Sequence, residues 1–294
     1  MAKQLAPLIV IVGQTASGKS DLAILLAEKF NGEIICADSW TVYKEFDIGT
    51  AKPSLDDQSR VPHHLIDVAD PQKGYSAAIF KRQATRAIEQ IHANNRLPIL
   101  VGGTGLYIDS VLYDYSFLPK SNPKIRDKLN SMSITELIQF ATEKKLDLSK
   151  IDDRNKRRVI RLIENQGKLP TKTSLRPKTL VLGLKCELEM LRLKIDQRID
   201  KMIALGFVDE VKSLGKKYGW DIEPMKAPGY RAFRDFIEGK ISIQKAKDRF
   251  LSNDLQLAKK QRTWFKRNQQ IVWISDYKEG LDHVEQFLNK EFLS

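Results

Sequence analysis

Gly18, Lys19 and Ser20 follow Gly13 at the spacing G-x-x-x-x-G-K-[ST], just after the apolar run Leu8 to Val12. That pattern suits the gripping of a phosphate: loop N–H groups surround the anion, the lysine neutralises it and the hydroxyl reaches Mg2+. Gly13, Gln14, Thr15, Ala16, Ser17, Gly18, Lys19 and Ser20 are therefore the candidate phosphate-binding residues, with Ser20 the candidate metal ligand and Mg2+ the expected cofactor. In Ala37-Asp38-Ser39 a carboxylate stands just past a second apolar run. Three roles are open to Asp38: support of Mg2+, a general base that takes a proton from a nucleophile, or a turn or helix cap. Gly102-Gly103-Thr104-Gly105 lets the backbone come close to a ligand or serves packing alone. The adjacent His63 and His64 point to opposite sides of an extended segment and lack a third ligand at metal spacing, so they read as hydrogen-bonded structural histidines.

These residues need a scaffold that brings distant segments together, and the first 118 residues supply its pattern. Leu8–Val12, Glu33–Ala37, Leu65–Val68 and Leu97–Val101 read as strands, with a helix after the phosphate loop and another over Ser76–Asn94. Strands separated by helices predict an α/β fold, a parallel sheet with helices on both faces, whose ligands sit beyond the carboxyl ends of the strands. Gly13, Asp38 and Thr104 each fall at such an end. From Pro119 the pattern becomes helical over 123–130, 133–144, 153–166, 188–217 and 243–268, while 179–186 and 270–274 are strand-like. The expected division is a core of 1–118 with 179–294, interrupted by a mainly helical insertion over 119–178.

The 294-residue chain has a net charge of +12, and all of the basic excess lies after residue 118. Beside a phosphate site, that asymmetry favours a nucleic acid as partner over an anionic membrane. Arg154, Arg157, Arg158 and Arg161 share much of one helical face, and Lys259 to Arg267 interleaves cations with Trp264 and Phe265. The second cluster suits phosphate contact and base stacking, although at least one of its aromatics is expected to dock the helix. Cys36 and Cys186 lack metal or disulfide spacing and read as core thiols. Met1–Pro7 leads into the first strand without a signal-peptide pattern, and no apolar run spans a membrane, so a cytoplasmic, membrane-free protein is expected.

With these residues in place, the chain resembles the tRNA dimethylallyltransferases (tRNA isopentenyltransferases) of bacterial type, almost end to end. The resemblance rests on GQTASGKS (13–20), ADSWTVYK (37–44), DIGTAKP (47–53), PHHLID (62–67), YSAAIF (75–80), GGTGLY (102–107), an R-x-x-R stretch ending at Arg161 and KKQRTWF (259–265). The chain departs from the family pattern at Gln14, Ser20, Trp40, Thr41, Pro228 and Lys260, and it carries no Cys/His module of the kind eukaryotic relatives append. The resemblance implies a P-loop NTPase-like core and transfer of a dimethylallyl group from its diphosphate to N6 of the adenosine 3′ of a tRNA anticodon. It implies that Asp38 and Thr104 are catalytic and that the phosphate loop holds the leaving diphosphate. The anticodon stem-loop would be met by Asp38, Ser39, Trp40, Thr41, Thr104, Arg126, Arg157, Arg158, Arg161, Lys260, Gln261 and Arg262, and the enzyme is expected to act as a monomer. The residues alone leave open a P-loop small-molecule kinase, a prenyltransferase of free adenine nucleotides, a nucleic-acid-binding ATPase and a non-catalytic RNA-binding module.

Overall fold

In the computed structural model, residues 5–119 and 122–293 are described, and the first part of the Met1–Pro7 lead-in lies outside them. Six strands form one sheet among the described residues: β1 (Leu8–Gly13), β2 (Gly32–Cys36), β3 (His63–His64), β4 (Leu97–Gly102), β5 (Thr179–Leu184) and β6 (Ile271–Ile274). Their order is β3-β2-β4-β1-β5-β6, and every pairing is parallel. Every residue of β1, β2 and β4 is buried, as expected of apolar runs covered on both faces.

The helices of the first half are α1 (Lys19–Lys29), α2 (Leu55–Arg60), α3 (Ala77–Ala93) and α4 (Gly105–Leu112). One core cluster joins β1, β2 and β4 to Leu22, Ala23 and Leu26 of α1. The chain then forms α5 (Pro123–Ser131), α6 (Ile134–Glu143) and α7 (Lys156–Glu164), and after β5 come α8 (Leu188–Ala204), α9 (Phe207–Tyr218), α10 (Pro228–Ile237), α11 (Ile243–Phe265) and α12 (Tyr277–Leu293). The aromatic side chains Phe207, Tyr230, Phe233 and Phe250 build a second core among α8 to α11, together with Tyr43 and Phe46. None of the described helices is long and apolar enough to cross a membrane.

The chain divides into two compact units, one reaching to Leu112 and resuming at Leu175, the other Tyr113–Ser174. These boundaries lie a few residues before those read from the change in pattern. The smaller unit packs α5, α6 and α7 around Leu129, Leu137, Ala141, Val159 and Ile160. A bridge between Ser116 and Thr171 pairs its two ends.

Four expectations are corrected. The third strand is His63–His64 rather than 65–68, because Leu65 and Asp67 take positive φ values of 64° and 55° and leave the extended region. The helix expected over 188–217 is broken by Gly206, which at φ 98° ends α8 and starts α9. Cys186 is half-buried beyond β5 rather than a core thiol, whereas Cys36 is buried. Helices α2, α4, α10 and α12 are additional to those read from the sequence.

Candidate active site

Strands β2, β4 and β1 are neighbours, so the segments that follow them emerge side by side. The Asp38 turn follows β2, the glycine turn follows β4 and the phosphate loop follows β1. Residues from all three line one cavity in the larger unit, among them Thr15, Lys19, Ser20, Asp38 and Gly103.

Asp38 does two things at once. Its Oδ1 accepts the Trp40 amide at 2.8 Å, which closes the turn after β2 as a cap would. The carboxyl group also lines the cavity, where burial pushes its pKa above the ordinary carboxylate range. The Trp40 and Thr41 amides and the charges of Lys19 and Arg198 oppose that shift without cancelling it. A carboxylate of raised basicity in a cavity is a competent proton acceptor. The neighbouring Cys36 thiol is driven up to about 12 by burial and by the Asp38 charge, so it is inert at neutral pH.

The phosphate loop is shaped by close approach. At Gly13 a Cβ would lie 3.1 Å from Ser17 Oγ and 3.3 Å from the Leu184 carbonyl. Gly18, at φ 96°, has no room either, since a Cβ would come within 2.5 Å of the Tyr277 hydroxyl, which donates to the Gly18 carbonyl. No side chain caps α1, so the N–H groups of its first turn are left to an anion. Ser17 Oγ is buried without a hydrogen-bond partner, a polar atom oriented by the loop with nothing in the protein to satisfy it. Lys19 Nζ donates to the Gln14 carbonyl at 2.5 Å. Desolvation lowers its pKa to about 8, partly offset by Asp38 and reinforced by Arg198. The exposed hydroxyl of Ser20 offers one oxygen to a cation. Ser20 is the residue that would hold a Mg2+ there, and the ion would supply charge to a bound phosphate.

Reasoning from the sequence missed Arg198 and Asp254. Arg198 Nη1 donates to Thr15 Oγ1 at 3.0 Å, and its Nη2 pairs with the buried Asp254. Gln261 completes this brace, its Oε1 accepting the Thr15 amide at 2.7 Å. One signal was legible. Ala246, Phe250, Asp254, Ala258, Gln261 and Phe265 form the buried stripe of α11, and two of the six are polar. A polar side chain at a core position of an amphipathic helix must find partners, and these find the phosphate loop. Arg198, beside the buried Ile195 and Ile199 of α8, carried no comparable signal.

The remaining candidates separate into those at the cavity and those elsewhere. Trp40, Thr41 and Gln261 line it with Asp38, so Gln261 belongs to the loop's support and not to the exposed basic surface. Thr104 Oγ1 accepts the Ser39 amide at 3.0 Å and donates to Ser39 Oγ at 3.3 Å. It therefore ties the β4 turn to the Asp38 turn. Lys260 and Arg262 are exposed on α11, while Phe265 is buried and Trp264 donates to Asp109 Oδ2 at 2.9 Å. Both aromatics are thus committed to docking and not to base stacking. In the smaller unit Arg157 and Arg158 are exposed. Arg126 and Arg161 both grip Glu164, whose side chain is completely buried. His63 Nδ1 donates to the Val61 carbonyl and His64 Nε2 to Glu33, the structural roles expected of them, and His63 also borders the cavity.

Fold and site together define a P-loop α/β enzyme in which an anion cradle opens beside a basic carboxylate. A family model described as IPP transferase matches residues 41–268. The tRNA dimethylallyltransferase of Microcystis aeruginosa is 41% identical over 288 residues, covering 93% of this chain and 89% of the relative. That of Picosynechococcus is 38% identical over 298 residues, covering 97% and 98%. Among solved structures, the tRNA isopentenylpyrophosphate transferase of Bacillus halodurans superposes with a TM-score of 0.74 at 33% identity, covering 97% of this chain and 96% of that one. A eukaryotic dimethylallyltransferase described as acting on tRNA gives 0.78 at 29% identity, covering 92% and 74%. The chain belongs to the IPP transferase family.

Proposed function

We propose that this chain prenylates tRNA: it moves a dimethylallyl group from dimethylallyl diphosphate to N6 of the adenosine 3′-adjacent to the anticodon, leaving N6-isopentenyladenosine and diphosphate. The single observation that carries this reading is the placement of Asp38, with its raised pKa, in the same cavity as the phosphate loop and Lys19. In the reaction N6 attacks C1 of the allyl group, the C1–O bond breaks with its electron pair passing to diphosphate, and Asp38 accepts the proton that N6 loses. The α1 amides, Lys19 and the Arg198 guanidinium would stabilise the negative charge that grows on the leaving group, the role of an anion hole. Asp254 and Gln261 keep Arg198 and Thr15 in place. Mg2+, which Ser20 would hold, would add charge neutralisation of the diphosphate. The exposed Arg157, Arg158, Lys260 and Arg262 suit phosphates of the anticodon stem-loop, contacts that help offset the cost of unstacking the target base.

The test is incubation of the purified chain with unmodified tRNA, labelled dimethylallyl diphosphate and Mg2+, with ATP as competing donor. Prenyl label on the tRNA is the expected result. Phosphate transfer or nucleotide hydrolysis without prenylation would overturn the reading in favour of a kinase or an ATPase.

A further inference from the structure

Four donors converge on the carboxylate of Glu210, in the first turn of α9. The amides of Asp47 and Ile48 donate to Oε2 at 3.1 and 2.9 Å, and the Gly49 amide and the Tyr230 hydroxyl donate to Oε1 at 2.9 and 2.6 Å. Successive amides turned toward one point form an anion-binding concavity, and here the anion belongs to the protein itself. The same segment runs on through Gly49, Thr50, Ala51 and Pro53 as part of the cavity wall.

Two further features fasten that wall. Gly49 is pressed against the helices, since a Cβ there would lie 2.3 Å from Phe207 and 2.6 Å from Tyr230. Lys52, its side chain only 5% exposed, donates to the Tyr43 carbonyl at 3.0 Å and pairs with Asp47 and Asp67. Ala51 sits in the left-handed region at φ 53°, a conformation that costs free energy and persists only when its surroundings hold it. Glu210 reaches the turn from α9 and gathers its amides, while Phe207 and Tyr230 pack against Gly49.

We propose that Glu210 is a positioning residue for prenyl transfer: by gathering the Asp47–Gly49 amides it keeps the Gly49–Pro53 wall closed, so that C1 of the allyl group meets N6 and not water. This rests on the transfer reaction proposed above. With the wall loosened, the C1–O bond still breaks and its pair still goes to diphosphate. A water oxygen then forms the new bond to C1 and releases its proton to solvent, giving dimethylallyl alcohol.

Glu210→Gln keeps the size of the side chain but turns an NH2 donor toward one of the gathered N–H or O–H donors. The measurements are prenylated tRNA, dimethylallyl alcohol and amide hydrogen exchange over residues 47–51, in parent and variant. The ratio of alcohol to prenylated tRNA is expected to rise about 10-fold and kcat/KM for tRNA to fall about 10- to 100-fold, because a half-buried hydrogen-bond cluster is left mispaired. Exchange at Asp47–Gly49 should accelerate alongside. Tyr230→Phe removes one donor and keeps the carboxylate, so its product ratio should stay within about twofold of the parent. If Glu210→Gln does not fold, Glu210→Asp, one methylene too short to reach all four donors, carries the same comparison. A parent-like product ratio in a folded Glu210 variant overturns the proposal, whether or not exchange has changed. A parent chain that makes no prenylated tRNA overturns the functional reading itself, so the two failures are distinguishable.

Discussion

Two turns line the same cavity and treat their backbone amides in opposite ways. The loop Gly13–Ser20 leaves the first turn of α1 uncapped and Ser17 Oγ unpartnered, so its polar groups are organised for something that arrives. The turn Asp47–Gly49 has the same kind of converging amides, but Glu210 occupies them. An open cradle sacrifices stability for binding, because buried polar groups are normally satisfied. A filled one gains rigidity, because converging hydrogen bonds that are all satisfied hold a single conformation. Identical backbone chemistry thus becomes a binding device or a wall, according to whether the protein supplies its own anion.

Both turns border the cavity that Asp38 lines. Asp38→Asn preserves an oxygen for the Trp40 amide and removes the base, and turnover should fall about 100- to 10,000-fold with tRNA affinity nearly unchanged. Activity close to the parent's would reduce Asp38 to a turn cap. In the open loop, Lys19→Ala should cost about 100- to 1,000-fold in turnover by removing a charge from the leaving group. The same lysine sets a pH limit. Lys19 must be protonated to bind the diphosphate, so kcat/KM should fall as pH rises through about 8. It should fall again on the acid side as Asp38, its pKa raised by burial, takes up a proton. An alkaline limb that stays put in Lys19→Arg would assign it to another group.

In the filled turn, Gly49→Ala drives a methyl group into Phe207 and Tyr230 and should lower stability by about 1–3 kcal/mol, read from urea unfolding. An unaltered midpoint would show that the turn is free to move away. The smallest effect concerns the smaller unit, where the contrast between committed and uncommitted groups recurs. Arg158 is exposed, and Arg158→Ala should weaken tRNA binding a few-fold and flatten its salt dependence by about one counterion. Arg161 grips the buried Glu164, so Arg161→Ala should instead destabilise the unit. Equal salt slopes for the two variants would erase that distinction.

Much of this site was legible in one dimension because its signals are local. The β1 run, the glycine spacing and the amphipathic start of α1 lie within about twenty residues, so the phosphate loop could be read directly. Asp38 and the glycine turn were found because each follows an apolar run at a strand's carboxyl end. The misreadings have identifiable causes. Leu65–Val68 has the composition of a strand, but positive φ values at Leu65 and Asp67 override it. Docking was expected of at least one aromatic of Lys259–Arg267, and both are held: burial claims Phe265 and a bond to Asp109 claims Trp264. Thr104 was read as following a strand's carboxyl end, and only the tertiary structure shows its bonds to Ser39.

The sequence by itself determined the anion cradle, the place of Asp38 at a strand's end, the parallel sheet that aligns them and the basic character of the later half, since each follows from short-range spacing, periodicity or charge. Only the tertiary structure decided which polar groups remain for substrate. Arg198, Asp254 and Gln261 brace Thr15 from helices more than 180 residues away, and Glu210 fills the Asp47–Gly49 turn from 161 residues away. Such pairings leave little trace in local pattern, because a hydrogen bond depends on distance and direction in space, and the packing of α8, α9 and α11 sets both.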